Sequence, residues 1–417
     1  MLKERINYLS EIHGISRKDL VNGLITPTHL SNILAGRYPL PEDLASHLAE
    51  RLFVDETYLL TAEDCSAETV NYAETIIEQF LLNAYDSTNI YQLPTEHPAL
   101  LIELVSQLLR ASVGLTRNDV SLQMSNEQYL AIYLPQFLDE EIPEVLKKAL
   151  YIYKMSQYRN QHNQQEALEM CRQLKKFNYT HSHVWINLLE FEVEALIYGG
   201  DAETSQELLK QAIGRCYYEG IYYHLTQLYM MYSVSFTNQN FWQKALYYLD
   251  KAKEYLEFTG EIAIMYSHGI ASNRIQILMR QNEFEQAERA IDDLEKLLSG
   301  TDNAAYFQAQ IMLNRCELAF RQSVFDTLQE HVDTLNQIEL SIEHQMVLSF
   351  YKSQLAFERK EEAVFLKYAD NCRLYFEQFY NRERLLLLYE QLAAVAKENR
   401  QYKQSSEYFE YVLQLIK

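Results

Sequence analysis

The sequence predicts an all-α chain, with five short helices at the N-terminus followed by a long series of paired helices. Three observations predict it. Glycine (11) and proline (7) make up 18 of 417 residues, about 4% where an average chain has about 12%, so little interrupts a helix. The first sixty residues carry closely spaced helix start and stop signals. From about residue 150 onward, one pattern of aromatic, small and apolar residues returns roughly every 40 positions.

Leu2, Ile6, Leu9 and Ile12 line one side of a first helix running from Leu2 to His13 and stopped at Gly14. Ser16 is an N-cap, and Asp19 three residues later gives the capping-box spacing that starts a second helix. Leu20, Val21 and Leu24 form its apolar side, and Gly23 loosens its end. Thr26 caps the third helix, with Pro27 at the first helical position, where a missing N–H costs nothing. Leu30, Ile33 and Leu34 turn inward, while Thr28, His29, Ser31 and Asn32 face outward, and Gly36 ends the helix. Pro41, Glu42 and Asp43 open a fourth helix that buries Leu44, Leu48 and Leu52. Val54-Asp55-Glu56 starts a fifth, carrying Tyr58 and Leu59.

Two short helices meeting at a tight turn, the second with small polar residues outward, form the helix-turn-helix pattern. Gly14-Ile15-Ser16, Leu20-Val21, Leu30-Ser31, Gly36 and the closing VDETYLL resemble the phage-repressor (Cro/C1, XRE) type of domain. The resemblance implies a DNA-binding domain over residues 1–61. Leu34-Ala35 departs from the Glu-Asn often found there, and Pro27 lies inside the expected recognition helix. Thr28, His29 and Asn32 are placed to reach base edges, and an asparagine amide pairs bidentately with adenine. Thr26, Arg17, Lys18, Ser31 and Arg37 complete the expected DNA-contacting set, Arg17, Lys18, Ser31 and Arg37 as phosphate holders. Residues 1–60 hold six basic and eight acidic side chains, a net of −2. A single copy should therefore hold DNA weakly, so a homodimer on a palindromic operator is expected.

The whole chain carries −21, which leaves −19 on residues 61–417. That body repels nucleic acid and membrane surfaces, and confines DNA contact to the first sixty residues. The five cysteines (Cys65, Cys171, Cys216, Cys316 and Cys372) form no C-x-x-C pair and read as small buried residues of a reducing compartment. His181 and His183, two apart, do not converge on a metal, and no metal or cofactor is expected. The start lacks a signal-peptide core and no apolar run approaches 18 residues, so a cytoplasmic location is expected. Phosphate-loop, dinucleotide, zinc-protease and nucleophile-elbow motifs are all missing, so catalysis is not expected.

Residues 62–90 read as a small-polar hinge and connecting helix, with apolar residues around Ile76–Leu82. Residues 91–150, broken at Pro94, Pro98, Pro135 and Pro143, read as an irregular helical lead-in. Over 151–417 the recurring pattern is clearest in Trp242/Ala245/Leu249/Ala252, Phe284/Ala287/Ile291/Leu294, Phe325/Leu328/Val332/Leu335 and Tyr402/Ser405/Phe409/Val412. Its anchor residues Ala167, Ser205, Ala245, Ala287, Leu328, Phe365 and Ser405 lie 37 to 42 residues apart. A period near 40 with two helices per unit is a helical solenoid, and these copies resemble tetratricopeptide (TPR) repeats. Such arrays curl into a right-handed superhelix whose first helices line a groove.

A DNA reader joined to such an array resembles, in plan, the peptide-pheromone-responsive regulators typified by PlcR, NprR, PrgX and the Rgg proteins (the RRNPP type). The resemblance implies a quorum-sensing regulator of transcription whose repeat groove binds a short linear signalling peptide. Asn273 and Asn314 each lie fourteen residues before an anchor and each precedes an arginine, Arg274 and Arg315. An asparagine amide offers donors and an acceptor to an extended backbone, and members of the family use groove asparagines this way. The arginines would take a peptide carboxylate in a forked contact. Tyr229 and Tyr232, on the first helix of their repeat, are further groove candidates. Two rival readings remain: a repeat adaptor, and a phosphorelay inhibitor, each binding a folded protein.

Overall fold

The computed structural model describes residues 2–82, 89–117, 119–137, 142–161, 163–198, 200–298, 304–378 and 381–416. The expected all-α class holds, and no strand occurs among the described residues. The chain comprises two compact units, Met1–Ala195 and Leu196–Lys417.

The first unit begins with α1 (Leu2–Ile12), α2 (Arg17–Leu20), α3 (Pro27–Leu34), α4 (Glu42–Leu52) and α5 (Glu56–Leu60). Their apolar sides meet in a small core that includes Ile6, Leu20, Val21, Leu30, Ile33, Leu48, Leu52 and Leu59. The expected caps form: Ser16 Oγ accepts the Asp19 N–H at 3.2 Å, and Thr26 Oγ1 accepts that of His29 at 3.2 Å. Gly14 and Gly36, past the ends of α1 and α3, take φ of +63° and +73°, a region open to glycine at no steric cost. α2 is only one turn long, and Arg51 satisfies the carbonyls of Asp19, Leu20 and Asn22 at and beyond its end, at 2.7–3.1 Å.

The unit continues with α6 (Ala67–Leu81), α7 (Leu100–Arg117), α8 (Val120–Tyr133), α9 (Glu144–Asn160), α10 (Gln164–Leu174) and α11 (Ser182–Tyr198). α6, in the stretch expected to hold a hinge and a connecting helix, buries Ala73, Ile76 and Ile77 in one core with Leu104, Val105 and Leu108. α7 is buried on every side from Leu100 to Gly114, its polar Glu103, Ser106, Gln107, Arg110 and Ser112 included.

The second unit holds α12 (Ala202–Glu219), α13 (Leu225–Asn238), α14 (Trp242–Glu254), α15 (Ala263–Arg280), α16 (Phe284–Leu298) and α17 (Ala304–Arg321). α18 (Phe325–Leu335), α19 (Ile342–Glu358), α20 (Glu362–Gln378), α21 (Arg382–Glu398) and α22 (Tyr402–Ile416) complete it. Five antiparallel pairs run from α13/α14 to α21/α22. Every anchor of this unit lies on the second helix of a pair or on α12, and all are buried (Ser205, Ala245, Ala287, Leu328, Phe365 and Ser405).

The turn inside each pair also repeats. Asn240, Asn282, Ser323, Lys360 and Arg400, each five residues before an anchor, all adopt φ between 58° and 62°. The residue after each donates its N–H to the carbonyl five positions back, at 2.8–3.0 Å, as in a Schellman motif. Glycine fills this position only at Gly200, φ +82°.

Cys171, Cys216, Cys316 and Cys372 are buried as expected, and burial pushes Cys171, Cys316 and Cys372 up to about 12. Cys65 departs from that expectation and is exposed, because the polar segment that carries it lies outside the cores. No described helix is long and apolar enough to cross a membrane.

Candidate DNA-reading and ligand-binding sites

At the N-terminus, packing of Leu30 and Ile33 turns the other side of α3 outward. Thr28, His29 and Ser31 are exposed there and Asn32 is half-buried. His29 stacks on Tyr38, with ring centres 5.7 Å apart, and Ser31 Oγ donates to the Pro27 carbonyl at 2.9 Å. Asn32 Oδ1 accepts from Arg37 at 3.0 Å, so an expected base reader and an expected phosphate holder are joined. Arg17, exposed, donates to Asn7 Oδ1 at 2.9 Å. Thr26 is committed to its cap, and Lys18 is exposed. Of the six basic residues in this region, Arg51 serves the α2 terminus and Arg5 is fully buried.

Arg5 fixes these five helices to α7 and the segment before it. Its guanidinium donates to the carbonyls of Tyr58 and Pro98 at 2.6 Å and of His97 at 2.8 Å. It pairs with Glu103 of α7 at 3.0 Å, with the two side chains 0% and 1% exposed, and lies 3.7 Å from the centre of the Tyr58 ring. The hydroxyls of Tyr58 and Tyr129 and the His97 N–H also donate to Glu103. Burial first, and the Glu103 charge second, raise the Tyr58, Tyr129 and Tyr133 hydroxyls above the ordinary tyrosine value. Those hydroxyls thus stay protonated, and those of Tyr58 and Tyr129 remain donors to the carboxylate.

In the second unit, the sequence candidates fall into two groups. Tyr229 and Tyr232 lie on α13, the first helix of its pair. Both are held by neighbours: the Tyr229 hydroxyl meets that of Tyr217 at 2.9 Å, and Tyr232 donates to the Gln206 carbonyl at 3.0 Å. Tyr232 also stacks on Tyr248, with ring centres 4.5 Å apart. Arg274 pairs with Asp250 of α14, and Arg315 with Asp292 and Glu295 of α16 at 2.8 and 3.0 Å. Each of these arginines spends its charge on the preceding second helix.

The asparagines are placed differently. Asn273 is half-buried on α15. Asn314 on α17 is 6% exposed, and its Nδ2 has no hydrogen-bond partner in the structure. Seven residues make almost two full helical turns, so Arg280 and Arg321 share the faces of Asn273 and Asn314. The adjacent Arg274 and Arg315, one residue on, are rotated about 100° away. Arg280 and Arg321 lie outside the set expected from the sequence, although each stands seven residues after one of the two candidate asparagines.

Arg280 and Arg321 converge on Glu383, in the first turn of α21. Arg321 also binds Glu317 at 2.6 Å. Glu317 accepts from Tyr351 of α19 at 2.6 Å and faces Arg384 of α21 at 3.5 Å. Arg384 packs near the rings of Phe350, Tyr351 and Phe376. Beside them, Gln354 and Gln391 exchange amide hydrogen bonds at 3.0 and 2.7 Å. First helices separated by one or two pairs in the chain reach one carboxylate, so the face they present is concave here. Burial works against the Glu317 carboxylate, but Arg384, Arg321 and the Tyr351 hydroxyl outweigh it and hold its pKa below the usual value.

No protein-family model matches the chain, and no curated protein matches it in sequence. Among solved structures it is similar to a Rap protein complexed with Competence and Sporulation Factor, at a TM-score of 0.57 and 14% identity. That alignment covers 84% of this chain and 97% of the Rap chain. What the two share is the fold. Bacillus thuringiensis PlcR, solved with the peptide PapR7 and DNA, aligns over 74% of this chain and 98% of its own (TM-score 0.35, 14% identity). NprR, solved with its cognate peptide NprX, aligns over 76% and 100% (TM-score 0.43, 12% identity). These neighbours are of the RRNPP type, whose plan the sequence resembles.

Proposed function

We propose that this chain is a peptide-responsive regulator of transcription, cytoplasmic and homodimeric, with no catalytic role. Residues 1–61 read an inverted-repeat operator through α3, and the first helices of the array receive a short linear peptide. Arg17, Lys18 and Arg37 hold phosphates, while Thr28, His29 and Asn32 face base edges. Asn273 and Asn314 grip the peptide backbone. The observation that carries the receptor half is the sealed, unpartnered amide of Asn314, since a buried donor without an acceptor is costly and a ligand carbonyl would satisfy it. The open outer side of α3 supports the reader half.

Binding selection from a random duplex pool with the full-length protein tests the reading. The expected result is an enriched inverted repeat with half-site centres one helical turn, about 34 Å, apart. Retention of duplexes without enrichment of any sequence overturns it. A second reading, an array that docks a folded protein partner, is favoured by the −2 charge of residues 1–60, and predicts no selective duplex retention at all.

A further inference from the structure

We propose that Glu383 is an internal stand-in whose carboxylate occupies, between Arg280 and Arg321, the seat that a carboxylate of the bound peptide takes. The proposal rests on the peptide-receptor reading and adds the charge of the ligand group and the residues that receive it.

Four observations carry it. Two guanidiniums from different helices, α15 and α17, share the single carboxylate of Glu383. Forked donors of this kind match a carboxylate bidentately, and here neither has one to itself. The cluster sets three arginines (Arg280, Arg321 and Arg384) against two glutamates (Glu317 and Glu383), an excess of positive charge inside a chain of net −21. Glu383 is the accessible member, its side chain 52% exposed against 19% for Glu317, so it can leave for solvent while Glu317 stays. Finally, the unpartnered Asn314 amide shares the α17 face that carries Glu317 and Arg321. A backbone gripped at Asn314 would bring a carboxylate near Arg321.

Exchange has a mechanical result. In the free protein, Glu383 ties α21 to α15 and α17. A ligand carboxylate takes both arginines and releases α21, so the ligand binds the two arrangements unequally, as any switch requires.

The test is affinity selection with the full-length protein against pooled random hexapeptides, read by mass spectrometry of the peptides that co-elute. One pool has free C-terminal carboxylates, a second is C-terminally amidated, and a third has free C-termini but lacks Asp and Glu. Retention should depend on a carboxylate. Loss in the amidated pool assigns it to the C-terminus, and loss only in the pool without acidic residues assigns it to a side chain. Glu383→Gln should raise retention roughly fivefold by removing the competitor. Arg321→Gln should lower it about tenfold and erase the carboxylate dependence. Arg321→Lys, which keeps the charge and the helix, should lie between. Thermal melts verify that each variant folds. Peptides retained equally from all pools, or an unchanged Glu383→Gln, overturn the stand-in while leaving the receptor reading intact. No retention from any pool by the wild type or by Glu383→Gln overturns both.

Discussion

The two ionic clusters of this molecule solve opposite problems. Around Glu103, in the first unit, the guanidinium and carboxylate are sealed from water, and Tyr58, Tyr129 and the His97 N–H donate to the carboxylate. Around Glu383, in the second, the central carboxylate is half in solvent and shared between two arginines. A sealed pair is costly to disturb, because separating it strands a charge in low dielectric. An exposed pair is worth little and is easily replaced. The first arrangement fastens; the second can exchange partners.

The sharpest way to break this comparison is Glu103→Ala. It leaves Arg5 buried without its counter-charge and should cost about 3–5 kcal/mol, read by urea unfolding. A loss below about 1 kcal/mol would put the two clusters in the same class. Next is Asn32→Ala, which should relax discrimination at one base pair of a selected duplex by about 1–3 kcal/mol and release Arg37. Arg17→Ala should instead weaken all duplexes alike and flatten the salt slope.

Acid should probe the second cluster. Burial holds His268 and His344 below their ordinary value of 6.5, so the unfolded chain takes up their protons first and stability falls as pH drops below 6.5. The lowered Glu317 carboxylate contributes stability above its ordinary 4.5, lost as pH falls further through its folded value. Melting temperature against pH should show both declines, and Glu317→Gln should shrink only the later one, to which the lowered Glu192, Asp55 and Asp64 carboxylates also contribute.

Smaller still, Asn314→Leu should shift stability by no more than about 1 kcal/mol, since the amide nitrogen it removes has no partner. The same substitution should abolish hexapeptide retention. Last, Lys360→Gly, at φ +60°, should be neutral or stabilise by a few tenths to about 1 kcal/mol, visible in the thermal midpoint.

Much of the fold could be read from local signals. The caps at Ser16, Thr26 and Asp55 and the buried anchors depend on neighbours a few residues away, and composition carried the all-α class. The turns of the repeats were hidden because Asn240, Asn282, Ser323, Lys360 and Arg400 share a backbone conformation and no common side-chain type. The Arg5–Glu103 pair joins residues 98 apart, beyond any pattern of local periodicity. At the candidate site, the fourteen-residue offset nominates Asn273 and Asn314, and adjacency in sequence adds Arg274 and Arg315, which pair with carboxylates of α14 and α16. Helical geometry brings Arg280 and Arg321 to the asparagines instead, and Glu383 joins them only through tertiary packing.

The buried guanidinium of Arg5 also has a bearing on protein engineering. A chimera cut after residue 61 would tear that side chain from a socket built by His97, Pro98, Glu103 and Tyr129, leaving one half with an orphan cation and the other with a hollow acid. Transplanting the first five helices into another scaffold therefore calls for carrying the chain through Tyr133, so that lock and key travel together.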